Sequence, residues 1–335
     1  MRRIVYAAVL AALVASMAVP ATAQSLELGT VEFFSPAVDR MMKYNILLPR
    51  DYESSTARYP VLYLLHGLGQ NYTAWGLSNG TPFYAALYDD LIVVMPDAGN
   101  SWYVNWVERE AGQKNDWEDH IIQDVVNNVD WHFRTIAERE GRAIAGLSMG
   151  GFGAITLGLR HPEMFISVGS TSGALEHARQ AARRLRGEAT PRRGPRRELT
   201  AAERAEREAR RLRPNPLIGI DGFSSQVERS PAGREFVTPE DADAYDPFVL
   251  IHQVSAAALP HIYIDCGTED RLIDGAEELV GILLDRGIPF DYMQMAGAHN
   301  SSYWIQSIGR IMSVQYEVMQ RALGQRPVGR RRSSN

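Results

Sequence analysis

The sequence predicts an α/β domain in which helices cover both faces of a mostly parallel central sheet. Short apolar runs of strand length alternate with amphipathic helical patterns along the chain, which is typical of that class. A glycine-flanked serine stands where one such run meets a helix, at residues 146–150. With 335 residues, 45% of them hydrophobic, the chain can bury a large core, as one large domain or as two smaller ones.

Residues 1–23 are set apart from the fold prediction. Arg2 and Arg3 precede an apolar run over residues 4–19, and residues 20–23 resemble a signal-peptidase site. The run is shorter than the roughly 20 residues that span a bilayer. We therefore expect a secretory signal peptide that is cleaved after Ala23, and a mature protein exported to the periplasm or out of the cell. A membrane anchor is the alternative.

Apolar runs with the length of buried strands recur through the rest of the chain. In chain order they cover residues 44–49, 61–67, 91–98, 143–148, 165–173, 261–270 and 289–297. Helical patterns cover residues 149–160, 274–286 and 301–323, and another follows Asp116, a predicted N-cap. Its apolar positions have helical spacing: Trp117, Ile121, Val125, Val129 and Phe133. Ligands of such sheets bind beyond the carboxyl ends of the strands, so we expect the functional site there.

One segment departs from this alternation. Residues from about 177 to 214 are rich in arginine and glutamate and carry almost no large apolar side chains. We interpret them as an insertion, either a solvated excursion or a surface that contacts anionic lipid or polysaccharide. Thr200 and Glu203 form a capping-box pair for a helix over residues 199–212. The folded domain then covers residues 24–323, and a basic, disordered tail covers residues 324–335.

The composition argues against a nucleic-acid partner, an intramolecular disulfide, insertion into a membrane and a bound metal. The net charge of −5 gives no reason to expect nucleic acid. The single cysteine, Cys266, excludes an intramolecular disulfide, and its apolar surroundings predict burial. No segment after residue 23 is apolar enough to insert stably into a membrane. No histidine pair has metal-ligand spacing on one element, and we expect neither a metal nor a cofactor.

Residues 146–150 read GLSMG, a G-x-S-x-G motif between a predicted strand and a predicted helix. In that context the serine lies on a sharp turn, where larger side chains two residues away would collide with the backbone. The helix N terminus behind it offers free N–H groups to a developing anion. We predict that Ser148 is a nucleophile rather than an ordinary turn residue.

A serine hydroxyl needs a base to take its proton, and in this arrangement the chain order is serine, acid, histidine. His299 follows the last predicted strand, precedes the last helix and comes after every candidate acid. We therefore predict that His299 is the base. The other histidines lie elsewhere in the predicted fold. His120 and His132 belong to the helix before the serine, His161 ends the helix after it, His177 lies in the insertion, and His252 and His261 precede or begin a late strand.

The candidate acids lie in the run IDCGTEDRLI. Asp265 precedes the end of the predicted strand, and Asp274 is expected to cap the next helix. Glu269 and Asp270 both lie in the loop beyond the strand, where an acid that orients the histidine belongs. Position along the chain favours Asp270 and leaves Glu269 open.

An oxyanion hole needs two N–H donors aimed at the tetrahedral oxygen. The residue after the nucleophile supplies one, which here is Met149. The second comes from a loop after an earlier strand that often begins His-Gly, and LLHGLGQ places Leu68 there. We expect His66 to hold this loop rather than to carry a proton.

Five segments together resemble the putative-esterase family of α/β hydrolases: LLHGLGQNYTAW, VVMPDAGNSWYVNW, AIAGLSMGGFGAITLGLRHPEMF, DCGTEDRLI and GAHNSSYW. That family includes esterase D and S-formylglutathione hydrolases, feruloyl, acetylxylan and tributyrin esterases, and mycolyltransferases. The resemblance covers residues from about 44 to 316, apart from the insertion. It implies the α/β-hydrolase fold and an acyl-serine reaction without a cofactor. It implies Ser148 as nucleophile, Asp270 as acid, His299 as base, and Leu68 and Met149 as oxyanion donors.

The substrate is less constrained than the chemistry. Aromatic residues in or near the expected site loops either form a cleft or pack in the core: Trp75, Trp102, Tyr103, Trp106 and Trp304. The best fit is an exported carboxylesterase acting on short-chain acyl or aromatic esters, as small molecules or linked to polysaccharide. The alternatives are an acyltransferase of the mycolyltransferase type, a thioesterase resembling S-formylglutathione hydrolase, and a non-catalytic binding protein.

Overall fold

The strands of the computed structural model, which describes residues 26–109, 112–188 and 233–324, form one large sheet and one short ribbon. The strands are β1 Leu28–Ser35, β2 Arg40–Leu47, β3 Val61–Leu65, β4 Ile92–Pro96, β5 Glu108–Arg109, β6 Arg142–Leu147, β7 Ser167–Thr171, β8 Gly233–Arg234, β9 His261–Gly267 and β10 Phe290–Met295. The large sheet has the order β1-β2-β4-β3-β6-β7-β9-β10, and β5 pairs with β8.

The sheet is mostly parallel, as predicted. Strand β2 pairs antiparallel with both β1 and β4, and every other pairing in the large sheet is parallel. All the predicted strands are present, whereas β1 and the two-residue strands β5 and β8 were not predicted. The exposed side chains of β1, at the edge of the sheet, interrupt the apolar run that identified the other strands of the large sheet.

Helices cover both faces of the sheet, which confirms the predicted fold class. They are α1 Ala74–Ser78, α2 Thr81–Ala85, α3 Trp117–Asp119, α4 Val126–His132, α5 Met149–Arg160, α6 His177–Leu185, α7 Pro239–Asp243, α8 Pro247–Gln253, α9 Ile273–Asp285 and α10 Ser301–Ala322. Successive side chains of β3 point to opposite faces of the sheet. Tyr63 packs in the core on the side of α5, and Leu64 packs in the core on the side of α10. No helix within the described residues is long and apolar enough to cross a bilayer.

The helix predicted after Asp116 differs in detail from its prediction. A π-helical segment, His120–Val125, separates α3 from α4. Asp116 occupies the predicted N-cap position of α3, but its side chain makes no capping hydrogen bond, and its carboxylate pairs with the Arg109 guanidinium instead. Phe133 has an extended backbone and ends the helix rather than belonging to it.

The first part of the predicted insertion is a packed helix. Residues 177–185 form α6, and Ala178, Ala181 and Ala182 on one face of that helix are buried. These small side chains let a helix rich in arginine pack closely, while Arg179 reaches the carboxylate of Asp246 at 3.3 Å. The predicted signal peptide, the Thr200–Glu203 capping pair and the tail from residue 325 lie outside the described residues.

Candidate active site

Ser148 lies on a strained turn between β6 and α5. Its φ of 54° and ψ of −113° are unusual for a residue with a side chain, and such conformations cost about 1–3 kcal/mol. The flanking glycines make the turn sterically feasible. A Cβ on Gly146 would lie 2.3 Å from the carbonyl oxygen of Gly150, and a Cβ on Gly150 would lie 2.2 Å from that of Leu65. Only glycine fits at either position.

His299 links Ser148 to Asp270 through a continuous series of hydrogen bonds. Its Nε2 lies 3.0 Å from the Ser148 Oγ, and its Nδ1 lies 2.9 Å from the Asp270 Oδ2. Because an ionised carboxylate only accepts, the Nδ1–H donates to Asp270 and Nε2 is left to accept from the Ser148 hydroxyl. The Trp304 ring packs edge-on against the imidazole, with ring centroids 5.2 Å apart.

The Asp270 carboxylate is held ionised although it is buried. Its residue is 3% exposed, and burial raises the pKa of the carboxyl. Hydrogen bonds from the His299 ring and from the Leu272 N–H, at 3.0 Å, outweigh burial and hold the pKa below its usual value. A negative charge therefore faces the imidazole at neutral pH.

The other three candidate acids do not reach His299. Glu269 is exposed, and Asp274 lies in the first turn of α9 instead of capping it, because that helix begins at the preceding residue. Asp265 is fully buried and accepts from the hydroxyls of Thr171 at 2.5 Å and Tyr303 at 2.9 Å. Burial raises the pKa of Asp265 to about 6.

Two backbone N–H groups beside the serine have no hydrogen-bond acceptor among the residues that the structure describes. Met149 is the first residue of α5, so its N–H has no carbonyl partner within the helix. Within the part of the chain that the structure describes, the Leu68 N–H donates to no protein group. His66 holds this loop, as expected. Its Nδ1 donates to the Gly67 carbonyl at 2.9 Å, and its Nε2 accepts from the Ala98 N–H at 3.0 Å.

A cavity of about 510 Å³ opens onto these groups. Ser148, His299 and the backbone near Leu68 form its floor, and the rings of Trp102 and Trp304 contribute apolar surface. Its polar lining comes from other elements: Gln70, Glu176, His177, Gln180 and Arg271. The described residues contain no cluster of three His, Cys, Asp or Glu side chains that could hold a metal ion.

Trp75 and Tyr103, two of the aromatic candidates for the substrate cleft, pack in the core and do not line the cavity. Trp75 is 1% exposed, and its Nε1–H donates to the Leu65 carbonyl at 2.9 Å. Tyr103 is fully buried, and its hydroxyl donates to the His66 carbonyl at 2.8 Å. Trp106 is also buried, with its Nε1–H bonded to the backbone. The three rings therefore pack in the core, and their polar groups donate to backbone carbonyls of the site loops or of the strand before them.

His177 and Gln180 line the cavity although both lie in the predicted insertion, and His177 makes the closer contacts with neighbouring elements. Its ring stacks on Trp102, with centroids 3.4 Å apart and an interplanar angle of 6°. Its Nε2 lies 2.6 Å from the Glu235 carboxylate, beside β8. The alanine spacing of α6 was the available signal that residue 177 belongs to a packed helix.

Comparison with known proteins places the chain in a family. A family model described as "Putative esterase" matches residues 35–313. An esterase of Mycobacterium tuberculosis is 41% identical over 138 residues, 38% of this chain and 28% of that protein. An endo-1,4-β-xylanase/feruloyl esterase of Xylanibacter ruminicola is 34% identical over 154 residues, 43% of this chain and 21% of that protein. The chain thus spans less than a third of either relative.

Two further similarities concern an acyltransferase and the fold. A diacylglycerol acyltransferase/mycolyltransferase of Mycobacterium bovis is 32% identical over 195 residues, 52% of this chain and 54% of that protein. The solved structure of a fluorophosphonate-binding serine hydrolase from Staphylococcus aureus has a TM-score of 0.63 at 22% identity, covering 87% of this chain and 99% of that one. The extent of the family match, together with the shared α/β fold, shows that this chain belongs to the putative-esterase family.

Proposed function

We propose that the chain is an exported serine carboxylesterase that hydrolyses short-chain acyl or aromatic esters through an acyl-serine intermediate. One observation carries the proposal: Ser148, His299 and Asp270 form a hydrogen-bonded series that opens onto a cavity. Membership of an esterase family supports the same reaction class. In this proposal the three residues are the nucleophile, the base and the orienting acid.

Acylation begins when the Ser148 Oγ attacks the ester carbonyl carbon and His299 Nε2 takes its proton. The imidazolium that forms is stabilised by the Asp270 carboxylate on the opposite nitrogen. The negative charge on the carbonyl oxygen is stabilised by the N–H groups of Leu68 and Met149, which have no competing acceptor among the described residues. His299 then protonates the leaving alcohol as the ester C–O bond breaks.

Deacylation repeats these steps with water as the nucleophile. His299 Nε2 takes a proton from the attacking water, the same two N–H groups hold the second oxyanion, and the Ser148 Oγ leaves with the proton returned by His299. The products are one carboxylic acid and one alcohol. Every proton moves through one imidazole, so the cycle needs no cofactor.

The substrate class is inferred from the cavity and from the relatives. A volume of about 510 Å³ accommodates a short acyl or a single aromatic acyl group, and the Trp102 and Trp304 rings offer flat apolar surface. The polar wall of Glu176, Gln180 and Arg271 suits a hydroxylated alcohol, such as a sugar unit. The similarity to a feruloyl esterase supports an aromatic acyl group.

An acyltransferase is the second candidate, because one relative carries that activity in its name. The same three residues would form the acyl-serine, and an alcohol would replace water in the second half of the cycle. Product analysis separates the two. With p-nitrophenyl acetate and added glycerol or glucose, a hydrolase releases acetate, whereas an acyltransferase releases mostly the new ester.

Export and the arginine-rich segment belong to the proposal as well. The basic, apolar and small-residue pattern of residues 1–23 supports secretion. The arginine content of the predicted insertion, residues from about 177 to 214, supports contact with an anionic surface, such as lipid or polysaccharide. Cell fractionation with N-terminal sequencing tests export and cleavage together. A chain that stays in the cytoplasm with residue 1 intact would contradict export.

Hydrolysis of p-nitrophenyl acetate by the purified mature chain, beside Ser148→Ala, tests the proposed reaction. We expect steady turnover that the substitution abolishes. Failure of a fluorophosphonate probe to label Ser148, together with no turnover, would favour a non-catalytic binding protein.

A further inference from the structure

Three successive backbone amides, Gly67, Leu68 and Gly69, follow β3 at the edge of the cavity. The outer two are each bonded to a side-chain amide oxygen. The Gly67 N–H donates to the Gln70 Oε1 at 2.8 Å, and the Gly69 N–H donates to the Asn100 Oδ1 at 2.7 Å. The middle N–H, of Leu68, donates to no protein group within the described residues. The loop is therefore held on both sides of one free donor.

Gln70 fixes the first amide from within the same loop. Its own N–H donates back to the Gly67 carbonyl at 3.2 Å, so backbone and side chain close the turn together. The turn lies directly against the serine. A Cβ added to Gly67 would be 2.6 Å from the Leu147 Cδ1 and 3.4 Å from the Ser148 Cβ. A shift of this turn would therefore move the Leu68 N–H relative to the nucleophile.

Asn100 fixes the third amide from a different loop, which follows β4. That loop contains two consecutive non-glycine residues with positive φ, Trp102 at 60° and Tyr103 at 59°. Such conformations are costly and persist only where neighbouring contacts hold them. Here Tyr103 donates through its N–H to the Ser101 Oγ at 3.0 Å and through its hydroxyl to the His66 carbonyl. The strained turn thereby ties the Asn100 loop to the loop that carries Leu68.

We propose that Asn100 and Gln70 are positioning residues that hold the Leu68 N–H on the developing oxyanion. The inference rests on the proposed acyl-serine reaction. Neither side chain has to touch the substrate for this effect. Each side chain holds one of the two amides that flank Leu68, which restricts the conformations of the loop. The Leu68 N–H is therefore already oriented when charge appears on the carbonyl oxygen.

Asn100→Ala leaves the Gly69 N–H without its acceptor and releases one side of the loop. A misplacement of about 1 Å in such a site lowers the rate by up to about 100-fold. We expect kcat for p-nitrophenyl acetate to fall about 10- to 100-fold while KM changes less than about threefold, because the donor acts on the transition state. Gln70→Ala should behave in the same way and serves as the second variant.

Affinity for a tetrahedral adduct separates positioning from general loosening. An alkyl trifluoromethyl ketone forms an oxyanion on Ser148, so its inhibition constant should rise in both variants by the same factor by which kcat/KM falls. Asn71→Ala is the matched control, because Asn71 caps the same loop through the Thr73 N–H at 3.0 Å and touches none of the three amides. Asn71→Ala should leave kcat/KM and the inhibition constant of the ketone within about twofold of their wild-type values.

The outcomes are distinct. If the wild-type chain shows no Ser148-dependent turnover, the proposed function fails and this inference fails with it. If the wild-type chain turns over, and Asn100→Ala and Gln70→Ala keep kcat within about twofold, only the positioning role is overturned. A fall in kcat without a matching loss of ketone affinity, or an equal fall in Asn71→Ala, also overturns it.

Discussion

Replacing Asp270 with asparagine tests how the carboxylate sets the proton position on His299. In the structure one Asp270 oxygen accepts from the Leu272 N–H, and the other accepts from His299 Nδ1. Asparagine keeps only one oxygen, and the Leu272 N–H can be satisfied only by that oxygen. Its NH₂ group must then face Nδ1, which becomes an acceptor, and the ring proton moves to Nε2. A protonated Nε2 cannot take the proton of Ser148.

The expected loss in kcat is about 10⁴-fold, the size seen when an orienting aspartate is replaced in this way. At 1.36 kcal/mol for each factor of ten, that corresponds to about 5.4 kcal/mol of transition-state stabilisation. The assay is steady-state hydrolysis of p-nitrophenyl acetate, with circular dichroism to verify folding. Glu269→Gln is the control and should keep kcat within about twofold, because Glu269 is exposed and does not reach His299. A folded Asp270→Asn variant that retains more than a tenth of kcat would show that Asp270 does not set the proton position on His299.

Three further changes have defined outcomes. Glu118 is buried, which raises its pKa, but hydrogen bonds from three side chains lower the pKa from 4.5 to about 2. The ionised form of Glu118 should therefore add about 3 kcal/mol to the free energy of unfolding above pH 5, and this stabilisation should be lost as the pH falls towards 2. Urea unfolding of the wild-type chain and of Glu118→Gln at pH 7 and pH 3 measures the difference. Gly146→Ala places a Cβ 2.3 Å from the Gly150 carbonyl oxygen and should lower stability by more than about 2 kcal/mol in the same assay. Trp102→Ala should raise KM about 2- to 10-fold for an aromatic acyl ester but not for acetate, and unchanged KM ratios would contradict an aromatic subsite.

Much of the geometry around Ser148 was predictable because it is local. The G-x-S-x-G motif and the apolar run before it define a strand, a sharp turn and a helix within residues 143–160. The loops bearing Asp270 and His299 each follow a parallel strand, and such loops meet at one edge of the sheet. Chain order and strand prediction identified Ser148 and His299 and limited the acid to the Glu269–Asp270 loop, and the family resemblance selected Asp270.

The lining of the cavity was not predictable, because it depends on contacts between distant segments. Trp102 and Tyr103 are neighbours in sequence with nearly the same φ angle, yet one ring lines the cavity and the other is buried. The direction of each ring depends on a distant partner. The Trp102 ring stacks on His177, 75 residues later in the chain, and the Tyr103 hydroxyl donates to the His66 carbonyl, 37 residues earlier. The sequence offered no signal for either contact.

The most direct test of the account is to find where the acyl group resides during turnover. Acid quenching of the chain during hydrolysis of p-nitrophenyl acetate, followed by peptide mass spectrometry, locates the acetyl group. The account predicts one acetyl group on the peptide that contains Ser148, and none in Ser148→Ala. Turnover with an acetyl group on another residue, or unimpaired turnover by Ser148→Ala, would contradict it.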